Sequence, residues 1–169
     1  VAALAELRKH RYRVRAGTSH AGGLVVRSAK DERLERDVVL TAPAEPADVE
    51  SLRRFVAEAR RAARLDHPGF SPVYELGVDE AGVPFVASRP PRGRPWCEAL
   101  AAPGPSPADR ARLLTALERL ARTLAFAHAK GVVHRHLDDT SVRLGEFGEV
   151  EVPAWCEVPG SDDPSADVR

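Results

Sequence analysis

The pattern of polar and apolar positions from Tyr12 to about Ala42 predicts strands broken by turns. "YRVRA" alternates, while "LVV" and "DVVL" are β-branched runs, and "GTSHAGG" (17–23) between them predicts a flexible turn. Residues 1–11 (VAALAELRKHR) predict a linker or short helix. A helical period follows from Pro46 to about Leu65. Pro46 suits its first turn, and Leu52, Phe55, Val56, Ala59 and Ala63 share one face. "DHPGF" ends it. "PVYELGV" and "VPFVAS" then predict two strands joined by "DEAG", and "RPPRGRP" (89–95) a stiff connector.

A longer helix begins at Ser106, which has capping-box spacing to Asp109 and Pro107 at the first turn. Leu113, Leu117, Leu120 and Leu124 make its apolar stripe up to Lys130, and Gly131 stops it. A loop, two short strands ("SVRLG", "EVEV") and an acidic tail over 157–169, whose composition predicts disorder, complete the chain. A sheet-rich first half followed by a helical second half is an α+β arrangement.

Composition narrows the function classes. In 169 residues, 25 basic and 25 acidic side chains cancel, so no net field draws the chain to nucleic acid or an anionic membrane. No apolar run approaches the ~18 residues that span a bilayer. Cys97 and Cys156 form no CxxC or disulfide framework, which points to a reducing, cytoplasmic setting and to inert thiols. The chain begins at Val1 without a basic-then-apolar leader, the pattern of a segment of a longer protein.

Five stretches, in order and at matching spacing, resemble the protein kinase family, in particular bacterial serine/threonine kinases. "GTSHAGGL" (17–24) resembles the glycine-rich loop, and "DERLERDVVLT" (31–41) the third strand. "RFVAEARRAARLDHPG" (54–69) is similar to helix C and its His-Pro turn. "AFAHAKGVVHRHL" (125–137) resembles the end of helix E and the catalytic loop. "GEFGEVEVPAWC" (145–156) resembles the hairpin before the metal-binding motif. The resemblance implies a kinase-like antiparallel-sheet N-lobe with helix C over 12–88, a hinge at 89–95 and a partial helical C-lobe over 96–156.

The departures fall on the positions that the family uses for chemistry. Thr41 stands where the phosphate-binding lysine belongs, His136 for the catalytic aspartate, Asp138 for the γ-phosphate lysine and Ser141 for the magnesium-ligating asparagine. Ala154 replaces the aspartate of the metal motif and Cys156 its glycine. In the glycine-rich loop, Gly17 and Gly22 remain, but Ser19 and His20 interrupt it. Glu58, which pairs with the missing lysine in the family, survives. Losing a general base costs about 10²–10⁴ in rate, and losing metal ligation roughly a thousandfold or more. His67, Pro68, Gly77, His128, His134, Arg135, Leu137, Gly148 and Trp155, which brace the fold in the family, are retained.

The resemblance therefore implies a pseudokinase-like interaction or regulatory module, with a protein partner or a neighbouring domain of the same chain. No metal and no required cofactor are expected. Weak ATP binding stays open, in a cleft lined by Gly17, Gly22, Leu24, Val39, Glu58 and Ala87. Two alternatives also stay open: a divergent kinase, or metal-independent nucleotide-binding domain, relying on His136, and a decayed remnant within a longer chain. A His134–His136–Asp138–Asp139 metal site is the weaker reading, because short motifs recur by chance. Beyond Cys156 there is no activation segment and no Ala-Pro-Glu, so the resemblance implies a C-terminally truncated domain or a fragment.

Overall fold

The computed structural model describes residues 11–21, 23–44, 48–101, 106–134 and 137–153. The β-branched first third forms β1 (Tyr12–Ala21), β2 (Leu24–Asp31) and β3 (Arg36–Pro43). Helix α1 (Val49–Ala62) follows, then β4 (Val73–Val78) and β5 (Pro84–Ser88). These five strands make one antiparallel sheet in the order β1-β2-β3-β5-β4. The second half holds β6 (Arg94–Pro95), α2 (Trp96–Leu100), α3 (Pro107–Ala129), β7 (Arg143–Leu144) and β8 (Val150–Glu151). Strands β6, β7 and β8 form a small second sheet.

Several expectations shift in detail. "GTSH" is strand instead of turn: β1 runs on through it, with its register to β2 shifted between Val14 and Thr18. Gly17 sits in that irregularity at φ +109°, a conformation that residues with a Cβ rarely adopt. Helix α1 starts at Val49 instead of Pro46, which lies outside the described residues. Asp48 is its N-cap and accepts a hydrogen bond from the Ser51 N–H. That bond holds the Asp48 carboxyl below its ordinary pKa. Phe55 and Ala59 are buried as expected, but Ala63 is the C-cap and exposed.

The capping box of α3 forms in both directions between Ser106 and Asp109. Its buried stripe is Ala116, Leu120, Thr123 and Ala127, flanked by Leu113 and Leu124. Leu117, expected in the stripe, is 52% exposed, because the helix is rotated to bring small Ala116 against the core. β6 and α2 carry no signal in the hydrophobic pattern.

Two apolar cores organise the molecule. One lies between α1 and the large sheet, with Leu24, Phe55, Ala59 and Val86. The other joins Leu65, Phe70, Trp96, Leu120, Val142, Val150 and Val152. A parallel bridge from Phe70 to Val152 ties the segment after α1 to β8.

At the far end of the large sheet the Asp31 carboxylate is fully buried. Arg11 meets it at 3.0 Å and Arg36 at 3.6 Å, and the N–H groups of Arg33 and Leu34 donate to it. Arg11 also pairs with Glu75 on β4, which accepts the Tyr12 hydroxyl. Arg36 lies over the Tyr74 ring, 3.5 Å from its centre. This network joins β1, the β2–β3 turn and β4. Burial alone would raise the Asp31 pKa, but Arg11 and the two amides outweigh it and lower the value. A carboxylate with a depressed folded pKa contributes stability above its unfolded pKa and loses it as pH falls.

Asp31→Ala is expected to cost about 2–3 kcal/mol in urea unfolding at pH 7, somewhat below the range for fully buried pairs because both arginines keep solvent contact. The native chain should lose stability as pH falls below the ordinary carboxyl value of 3.8. The variant's unfolding curve should lack that part of the acid limb.

Candidate functional site

Strand register assigns the expected cleft residues to faces. Leu24 pairs with Pro43, Val26 with Thr41 and Ser28 with Val39, while β5 places Val86 beside Thr41 and Ser88 beside Val39. Paired residues share a face, and Leu24 and Val86 pack on α1, so Thr41 and Val39 also point to the α1 side. Ala87 pairs with Leu40 and therefore lies on the opposite face, fully buried. Of the expected set, Leu24 and Val39 therefore share the α1 face with Val86, and Ala87 does not. Gly17 belongs to β1, and Gly22 lies outside the described residues.

Glu58 is buried on α1 and pairs with Arg61 one turn on. The acid that would steady a β3 lysine is thus tied within its own helix. At Thr41 the side chain is an uncharged hydroxyl, which offers no cation to a phosphate.

His134 is buried, at the start of the loop that resembles the catalytic loop. Arg135 and His136 lie outside the described residues, as do Ala154, Trp155 and Cys156. Leu137 packs on the second core. Asp138 turns its carboxylate inward on its own loop, where one oxygen accepts from the Thr140 N–H (3.0 Å), the Thr140 hydroxyl (2.8 Å) and the Ser141 N–H (2.7 Å). Ser141 returns two bonds: its hydroxyl accepts from the Asp138 N–H and donates to the Asp138 carbonyl. Partial burial would raise the Asp138 pKa, but the Thr140 hydroxyl and the Ser141 and Thr140 amides hold it low. Asp138 and Ser141 thus build a side-chain-capped turn. Asp139 is exposed, and its carbonyl accepts from the Cys97 N–H.

The connector between the halves carries a feature that composition did not flag. The Arg89 N–H donates to the Pro72 carbonyl at 3.1 Å. Pro90 and Pro91 have no N–H. The Arg92 N–H donates to the Glu151 carboxylate at 3.4 Å. Every backbone donor from residue 89 to 92 is therefore either engaged or chemically absent.

Glu151 itself was missed. In "EVEV" it reads as the exposed member of an alternating strand, yet it is buried, as are Val150 and Val152. Arg89 pairs with its second oxygen, and the Ser71 hydroxyl donates to its first. A buried carboxylate persists only with such partners. The signal available in the sequence was the arginine-rich connector.

Retained scaffold positions have visible roles. The His67 ring stacks against Phe126 at 5.0 Å and meets Phe70 edge-on. A Cβ at Gly77 would come within 2.5 Å of the Phe85 ring.

An antiparallel sheet carrying one helix, a short connector and a helical half is the protein-kinase-like architecture. The chain belongs to that family of bacterial serine/threonine kinase-like domains. It is 36% identical over 142 residues to the DNA damage-responsive serine/threonine-protein kinase RqkA of Deinococcus radiodurans, covering 82% of this chain and 21% of that protein. It is 33% identical over 158 residues to the serine/threonine-protein kinase PknL of Mycobacterium tuberculosis, covering 88% and 39%. The crystal structure of the M. tuberculosis PknI kinase domain superposes with a TM-score of 0.64 at 22% identity, covering 86% of this chain and 59% of that one. No family model matches. The chain thus spans well under half the length of these curated relatives.

Asp138→Ala should raise hydrogen exchange at the Thr140 and Ser141 amides roughly tenfold, the loss of about 1.4 kcal/mol of local bonding, while the global melt barely moves. Glu151→Ala should behave oppositely, costing about 3 kcal/mol or more in global unfolding because Arg89 and Ser71 lose a buried partner.

Proposed function

We propose that the chain is a pseudokinase-like domain that acts as a protein-interaction or regulatory module and transfers no phosphoryl group. The observation that carries this reading is the state of the charged positions. Thr41 supplies no cation for phosphate, the surviving Glu58 is paired with Arg61, and Asp138 holds a negative charge where the family has a lysine. Phosphoryl transfer rests on positioned charge more than on covalent chemistry by the protein, so these changes strike the reaction at its centre. The Ala154 side chain carries no oxygen to ligate magnesium, a hard cation.

The connector supports the same reading for the nucleotide. A purine ring edge is recognised by backbone N–H and C=O groups, and residues 89–92 have no free N–H to give. Carbonyls and the apolar Leu24–Val39–Val86 wall remain, enough for weak contact. The partner in this reading is another protein or a neighbouring domain, and the setting is cytoplasmic. No described helix is long and apolar enough to cross a membrane.

The full chain incubated with radiolabelled ATP and magnesium should incorporate no phosphate. In a thermal melt, ATP should shift the midpoint by less than about 1 °C, where binding at a hundred times the dissociation constant would add about 2.7 kcal/mol and move it several degrees. Magnesium-dependent labelling that disappears in His136→Ala would replace this reading with that of a divergent kinase. A melting shift that persists with chelator would instead identify a metal-free nucleotide-binding domain.

A further inference from the structure

The outer face of α1 is strongly basic. Arg53 and Arg60 lie on the helix, and Arg64 in the turn that continues it, where the Arg64 N–H bonds to the Arg61 carbonyl. Spacings of seven and four residues return these three side chains to one stripe. All three are exposed, and none has a carboxylate partner among the described residues. The neighbouring arginines are already neutralised: Arg54 pairs with Glu50 at 3.5 Å, and Arg61 with Glu58. Asp66, also exposed, is the next acid along the chain. With overall charge at zero, this stripe is a local excess that another part of the molecule balances.

The balancing charge lies in 157–169, where Glu157, Asp162, Asp163 and Asp167 stand against one base, Arg169. The fold delivers that segment close by. Val152 bonds to both sides of the segment that follows α1: its N–H donates to the Gly69 carbonyl, and its carbonyl accepts from Ser71. Leu65, at the end of the α1 turn, shares a core with Val152. The chain therefore leaves Pro153 beside the segment that follows α1, on the side of the helix end that carries Arg60 and Arg64. The ten residues from Pro153 to Asp163 can reach roughly 33 Å when extended, whereas the 14 residues of α1 measure roughly 21 Å.

We propose that the acidic segment 157–167 docks in cis on the Arg53–Arg60–Arg64 stripe of α1. Single exposed ion pairs are weak, but a tether presents several carboxylates at high effective concentration to one row of guanidinium groups. The contact covers the basic face of α1 and is loosened by salt or by a competing acidic partner.

The test is paramagnetic relaxation in the full chain, with a nitroxide on Ser165→Cys in a Cys97→Ala, Cys156→Ala background. At low salt the amide signals of residues 53–64 should lose about half their intensity or more. The loss should disappear in about 1 M NaCl, where the screening length falls to about 3 Å. It should also disappear in Arg53→Glu/Arg60→Glu/Arg64→Glu and, as a variant that leaves the folded part unchanged, in Asp162→Asn/Asp163→Asn/Asp167→Asn. Three results would overturn the proposal: no broadening on α1, broadening that survives both charge changes, or broadening that grows with protein concentration and so reports a second copy.

Discussion

The Glu151 carboxylate is the point at which the two halves of the molecule are fastened. It is a buried anion, and a buried anion without partners would cost several kcal/mol. Its partners come from two places at once: Arg89 and Arg92 on the connector, and Ser71 on the segment between α1 and β4. Val150 and Val152 on either side of it belong to the second core, and Val152 bridges to Phe70. The same strand thus supplies the charge that fixes the connector and the apolar groups that fix the helical half. The bonds from Trp96 to Val142 and from Cys97 to Asp139 extend that junction into α2 and the loop after α3.

Elements that rest on local chemistry were legible in the sequence. The β-branched strands and the Ser106–Asp109 box depend on neighbours a few residues away, and both appear where the pattern puts them. Elements that rest on tertiary partners were not. β6 is two residues that become strand only because Leu144 and Arg143 arrive opposite them. β1 continues through "GTSH" because β2 is there to pair with it, which overrides the turn propensity of glycine and serine. Leu117 and Ala116 differ by one helical step, and which of them faces inward is decided by the packing of the second core.

The candidate site divides in the same way. The sequence singles out Thr41, Asp138 and Ser141 by their spacing within the stretches that resemble the family. The contacts that these residues make were not visible. That Glu58 takes Arg61, and that Asp138 and Ser141 bond to each other, follows from side-chain geometry on a helix and in a turn. The connector's engaged amides depend on Pro72 and Glu151, which are distant in sequence.

Pro90 and Pro91 have one more consequence, a mechanical one. Each ring fixes its own φ near −65°, and the first proline is held by its successor in extended backbone. The passage between the halves therefore has few torsions left to turn. Each proline also narrows the unfolded ensemble, which favours the native connector by about 0.4–1 kcal/mol where its conformation fits. The crossing between the two halves of this chain is built as a strut.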